Sequence, residues 1–94
     1  MKLIISDEAT ADLADIWAYI SRDSPNAADS FVDRLWHRCR QLTEMPGIGR
    51  RRDELIPGLR SLPEGRYLIF YRPFPGQVEI VRILSAYRDI ESLL

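Results

Sequence analysis

The chain has one cysteine, one histidine and, at position 2, its only lysine. Cys39 therefore has no partner for an internal disulfide, and with no second Cys or His at ligand spacing it builds no zinc-type site. His37 lies between Trp36 and Arg38 in a helical pattern, assembles no Ser-His-Asp geometry, and reads as a surface residue without chemistry. Long apolar runs are missing too. The longest, Tyr67 to Tyr71, falls far short of the roughly 20 residues that span a bilayer. Met1-Lys2-Leu3-Ile4-Ile5 turns acidic at once instead of continuing as a secretory leader, so a cytoplasmic protein with no membrane association is expected. Gly47 and Gly49 lack the strand-before, helix-after context of a phosphate loop, and no residue pattern implies a cofactor or a metal.

What is present is a chain of 94 residues, the length of one small domain spanning 1–94. The net charge of −1 hides an asymmetry. Residues 1 to 33 carry seven acids against Lys2 and Arg22, whereas residues 34 to 94 carry eleven arginines against seven acids. The choice of arginine over lysine favours forked contacts with carboxylates or phosphates and disfavours a lysine general base.

Lys2 to Ser6 has strand character, and Ser6 followed by Asp7 and Glu8 is a helix N-cap with early acids. Leu13, Ile16, Trp17 and Ile20 then form one apolar stripe, with Asp12 and Asp15 off it. Ser24-Pro25 opens a second helix, on which Ala28, Phe31, Leu35, Cys39 and Leu42 keep helical spacing until Met45-Pro46-Gly47 stops it. The short link makes the pair an antiparallel hairpin. A loop carrying Arg50, Arg51 and Arg52 follows, then strands over Leu59–Leu62, Arg66–Arg72 and Val78–Leu84. The expected fold is α+β: an N-terminal strand at an edge and a helical hairpin packed on an antiparallel sheet that ends in a three-stranded meander.

Few groups in this frame carry chemistry. Asp12 and Asp15 read as a solvated helix face in preference to an acid/base pair. The triple arginine pairs with Asp53, Glu54 or an acidic partner, or clamps phosphates. Arg60, Arg66, Arg72, Arg82 and Arg88 recur through the strands, and Arg82, between Val81 and Ile83, needs water, an anion or an escape to the sheet edge.

In order and spacing, "ADLADIWAYI", "AADSFVDRL", "ELIPGLRSLPEGRYLIFYR" and "VEIVRILSAYRD" resemble the ParE branch of the ParE/RelE toxin superfamily. The resemblance implies the fold just described and a growth-inhibiting toxin of a type II toxin-antitoxin system. It implies neutralisation by a ParD-like antitoxin in a hetero-oligomer that touches operator DNA only through the antitoxin. The RelE branch cleaves messenger RNA on the ribosome with cationic side chains and a C-terminal tyrosine. Here Leu68 stands at that branch's central-strand arginine position, Glu91 at its tyrosine position, and no lysine follows Lys2. Without a proton donor or a full set of cations such phosphoryl transfer lacks its machinery.

The expected activity is therefore inhibition of DNA gyrase without catalysis by the chain itself. The alternatives are a RelE-like endoribonuclease and a non-toxic partner in an autorepressor complex. Arg82, Tyr87 and Arg88 are the expected target contacts, with Asp89 holding Arg88 as the structural alternative. Leu13, Trp17, Arg60, Arg66, Tyr71 and Arg72 are the expected antitoxin contacts, as an amphipathic helix and an extended segment fold onto them. Ser85 stands where many ParE-like chains carry histidine.

Overall fold

Ser6 ends a strand and starts a helix in one residue. The first strand, β1 (Lys2–Ile5), stops there, and the Ser6 hydroxyl oxygen accepts from the Ala9 amide at 3.0 Å to cap the first helix, α1 (Asp7–Ser21). Ser24 repeats the device, accepting from Ala27 at 3.1 Å with Pro25 in the first turn of the second helix, α2 (Pro25–Glu44). The structure is a computed structural model, and it describes residues 1–94.

The sheet has five strands. After α2 come β2 (Arg50–Arg51), β3 (Arg60–Glu64), β4 (Tyr67–Phe74) and β5 (Gln77–Ser85), then a terminal turn of helix, α3 (Ile90–Leu93). Their spatial order is β1-β5-β4-β3-β2. The meander β3-β4-β5 is antiparallel, with Gly65 and Gly76 at positive φ in its two hairpin turns. β1 lies at the edge as expected but runs parallel to β5, so the sheet is mixed. Parallel pairing needs a long crossover, and the helical hairpin and the meander between the two strands supply it. β2 falls where the sequence predicts a loop: Arg50 and Arg51 pair opposite Ser61 and Arg60 to form the other edge.

One sheet face packs under the helices. Leu13 and Ile16 of α1 and Leu35, Cys39 and Leu42 of α2 meet Ile69, Tyr71, Val78, Ile80 and Ile83 in the main core. Trp17 departs from the expected stripe: it is 40% exposed, and its indole nitrogen donates to Asp29 at 2.8 Å across the hairpin. The opposite face carries a smaller cluster of Leu59, Phe70 and Leu84, covered by Leu55, Ile56 and the C-terminal residues Ile90, Leu93 and Leu94. β4 is thus buried on both faces, as its continuous apolar run requires.

Tyr71 ties the loop after α2 to the sheet. Its ring is fully buried, and its hydroxyl donates to the Pro46 carbonyl and accepts from the Gly49 amide, both at 2.8 Å. Gly49 sits against that ring so closely that an added Cβ would lie 2.9 Å from the Ser61 carbonyl oxygen and collide with the phenol. Gly49→Ala is expected to cost about 1–3 kcal/mol by overpacking. Gly47→Ala, with nothing within 4 Å of its Cβ, stays within about 0.5 kcal/mol of wild type; urea unfolding of the two variants makes the comparison.

Burial pushes the Cys39 thiol up from 9.0 to about 12. Its folded-state value is raised, so the stability it contributes is complete below pH 9.0 and lost as the pH climbs towards about 12, where the unfolded thiol ionises first. At neutral pH a thiol reagent is expected to label Cys39 only after denaturation, and labelling of the native chain at the unfolded rate would contradict this burial.

Candidate functional site

The outer edge of β5 is covered in stages. β1 pairs with it only from Gln77 to Ile80. Ser6 carries the cover further, its amide donating to Ile80 O at 3.0 Å and its hydroxyl to Val81 O at 2.8 Å. A β-bulge follows: Phe70 opposes Arg82 while Tyr71 opposes Ile80, so Val81 is the extra residue. Just beyond it, the Asp12 carboxylate of α1 accepts from the Ile83 amide at 2.9 Å. The same carboxylate takes the Arg82 guanidinium on both oxygens at 2.8 Å, and a third nitrogen of Arg82 donates to Leu93 O at 3.0 Å. The hydrogen bond to Asp12 pushes the Arg82 pKa up, outweighing the opposing effect of burial.

Past Asp12 the edge is only partly covered, the Ser85 carbonyl accepting from the Arg88 amide at 3.2 Å. Ala86 donates to Arg66 O at 2.9 Å, which places the even-numbered residues at the end of β5 in hydrogen-bonding register with β4. By the antiparallel alternation, Ile83 and Ser85 then turn their backbone groups outward. α1 diverges from this edge, and between them lies a groove of ≈ 630 Å³. Ile16, Ile20, Phe31 and Tyr67 form its apolar floor, with the Phe31 and Tyr67 rings 5.6 Å apart at a tilt of 47°. Burial, and then the neighbouring Tyr19, push the Tyr67 phenol pKa up. Asp15 and Tyr19 stand on the α1 rim, and Arg66, Tyr87 and Arg88 on the opposite one. Tyr19 is 65% and Tyr87 82% exposed, unusual for rings beside an apolar floor unless something covers them.

The sequence-predicted residues separate accordingly. Arg66, Tyr87 and Arg88, assigned to two different partners, come together on one rim. Arg82 is not free for a partner: the anion it required is Asp12, which is correspondingly not on a solvated face. Asp15 is exposed and apart from that pair. Leu13 and Tyr71 are buried core residues instead of exposed contacts. Arg60 is occupied by the Gly47 and Gly49 carbonyls at 3.3 and 2.8 Å. Arg72 is half-buried, its guanidinium over the Phe74 ring at 5.1 Å, and does not line the groove; nor does Trp17. Arg88 makes no ion pair with Asp89, which precedes α3 as its cap residue. Arg51 and Arg52 pair with Asp53 and Glu54 at 3.0 and 2.9 Å. Tyr19, Phe31 and Tyr67 were not predicted site residues; the available signal was Tyr19, an aromatic off the buried stripe of α1.

No three His, Cys, Asp or Glu side chains gather at one point, and no helix is long and apolar enough to cross a membrane. The arrangement is suited to holding a peptide segment: an apolar floor, an open strand edge and charged rims.

Residues 3–90 match the family model described as ParE toxin of type II toxin-antitoxin system, parDE. The chain is 32% identical over 92 residues to Toxin ParE1 of Mycobacterium tuberculosis, covering 96% of this chain and 94% of the relative. It is 35% identical over 81 residues to Toxin ParE1 of Caulobacter vibrioides, covering 85% and 83%. Among solved structures, a chain of the chromosomal ParDE toxin-antitoxin system from P. aeruginosa superposes with a TM-score of 0.77 at 25% identity, covering 90% of this chain and 95% of that one.

Removing either partner of the Asp12–Arg82 pair leaves the other charge half-buried and short of hydrogen bonds. Asp12→Ala and Arg82→Ala should each cost about 1.5–3 kcal/mol, and the double variant less than their sum, as measured by a double-mutant cycle in urea. Tyr87→Ala and Arg88→Ala should stay within about 0.5 kcal/mol of wild type, because both side chains are exposed.

Proposed function

The chain belongs to the ParE toxin family of type II toxin-antitoxin systems, and on that premise we propose that it arrests growth by docking on DNA gyrase. A ParD-like antitoxin neutralises it by laying a segment into the groove between α1 and β5. What supports the reading is the groove itself: its floor is apolar, its strand edge is only partly paired, and its exposed aromatic and guanidinium groups are those common in binding hot spots. Antitoxin and toxin form a hetero-oligomer, and operator DNA is contacted through the antitoxin.

The chain acts by binding, without catalysis of its own. Arg82 is committed to Asp12 and the Leu93 carbonyl, so the sheet does not present it to a phosphate. Leu68 and Glu91 stand where the RNA-cleaving branch has its arginine and tyrosine, and the only lysine is at position 2. These absences weigh against phosphoryl-transfer chemistry.

Purified chain added to a gyrase supercoiling reaction is expected to inhibit it, with inhibition relieved by the antitoxin and weakened by Tyr87→Ala or Arg88→Ala. Supercoiling at the full rate, together with messenger RNA cut in a translating extract, would replace this reading with ribosome-dependent cleavage. Absence of both activities, with harmless overexpression, would leave the chain as a non-toxic repressor partner.

A further inference from the structure

Three charged groups on the groove walls have no ionic partner within the chain. Asp15, Arg66 and Arg88 all line it and all are exposed, and none belongs to any of the chain's ion pairs. The remaining wall charge, Asp12, is already neutralised by Arg82. The unpaired charges are not interspersed. α1 meets β5 at Asp12 beside Ile83, and by Tyr19 it has reached Tyr67, which opposes Ser85. Asp15 therefore lies towards the closed end, where helix and strand touch. Arg66 and Arg88 lie at the open end, beyond Tyr67 and Ser85.

Those two arginines come from different segments held close together. The Ala86 amide donates to the Arg66 carbonyl at 2.9 Å, which joins the start of the turn after β5 to the turn between β3 and β4, and the Arg88 amide donates back to the Ser85 carbonyl at 3.2 Å within its own turn. Both arginines line the same groove, and neither is neutralised by an ion pair within the chain. Such a site favours a carboxylate, which accepts several guanidinium N–H bonds in a plane, beside aromatic rings that limit competition from water.

Building on the proposal that an antitoxin segment fills the groove, we propose that the segment is read by its polarity. An aspartate or glutamate side chain seats between Arg66 and Arg88, apolar side chains cover Ile16, Phe31 and Tyr67, and a basic side chain meets Asp15. The carboxylate clamp fixes the direction in which the segment lies and discriminates against antitoxins whose charges run the other way.

The test is titration calorimetry of the full chain against the purified antitoxin encoded beside its gene, at low and high salt. Arg66→Ala and Arg88→Ala are each expected to weaken binding by about tenfold or more and to flatten the salt dependence. Arg40→Ala, an exposed arginine on α2 outside the groove, should leave affinity within about twofold, the effect of a rim charge with no partner. Arg88→Glu should be rescued by reversing one acidic residue of the antitoxin to arginine. Thermal unfolding of the variants should match wild type, since neither side chain makes a hydrogen bond or ion pair in the chain. Undiminished affinity in both groove variants, or equal losses in the Arg40 control, would overturn the clamp while leaving groove docking in place. Failure of the wild-type chain to bind the antitoxin would overturn the docking proposal beneath it.

Discussion

One carboxylate decides where the sheet ends and where the open surface begins. Asp12 accepts from Nε and one terminal nitrogen of the Arg82 guanidinium and from the Ile83 amide, so a single side chain of α1 caps the β5 edge beyond Ser6. A half-buried ion pair gains little from charge alone, because desolvation offsets the Coulomb attraction. This one is favoured because its oxygens also meet a backbone donor that β1 is too short to reach, and because Arg82 spends a further nitrogen on Leu93 O in the C-terminal turn. Helix, edge strand and C-terminus are thereby locked at one point. The bulge at Val81 makes the geometry possible, since the extra residue changes the register by which Arg82 leaves the strand.

From that point the two sides of β5 have different fates. Its edge towards β4 completes the antiparallel ladder, while Val78, Ile80 and Ile83 on its helix-facing side are buried in the main core. Its outer side, past Asp12, keeps unpaired backbone groups beside an apolar floor. Free strand edges invite association, and proteins that avoid it block them with charge or a covering element. Here the block by α1 stops at Asp12, and beyond it the Ser85 carbonyl is taken by the Arg88 amide while the Ser85 amide faces outward. The groove walls stand on rigid elements, α1 and β5, while Tyr87 and Arg88 sit on a turn tied back by Ser85.

The sequence showed the helices because their signals are local. Ser6 and Ser24 cap, Pro25 opens a first turn, and the apolar spacing of α2 survives intact in the core. The meander was legible from its turns, and the apolar run of β4 reported a strand buried on both faces. The site was less legible. Asp12 and Arg82 are 70 residues apart, and nothing in either neighbourhood announces the other. Tyr71 looks like a partner contact in a strand until its hydroxyl is seen holding Pro46 and Gly49. β2 is two arginines long and carries no pattern of its own, because its pairing is imposed by β3. Arg66 and Arg88 could be named one by one, but their meeting depends on two turns docking.

If a partner fills the groove beside the end of β5, amide hydrogen exchange compared between the free chain and its complex with a ParD-like antitoxin will show it. New protection is expected at the Ser85 amide and along residues 15–20 of α1, with exchange across residues 50–58 unchanged. Protection concentrated at residues 50–58, with the β5 end exchanging as before, would contradict groove docking.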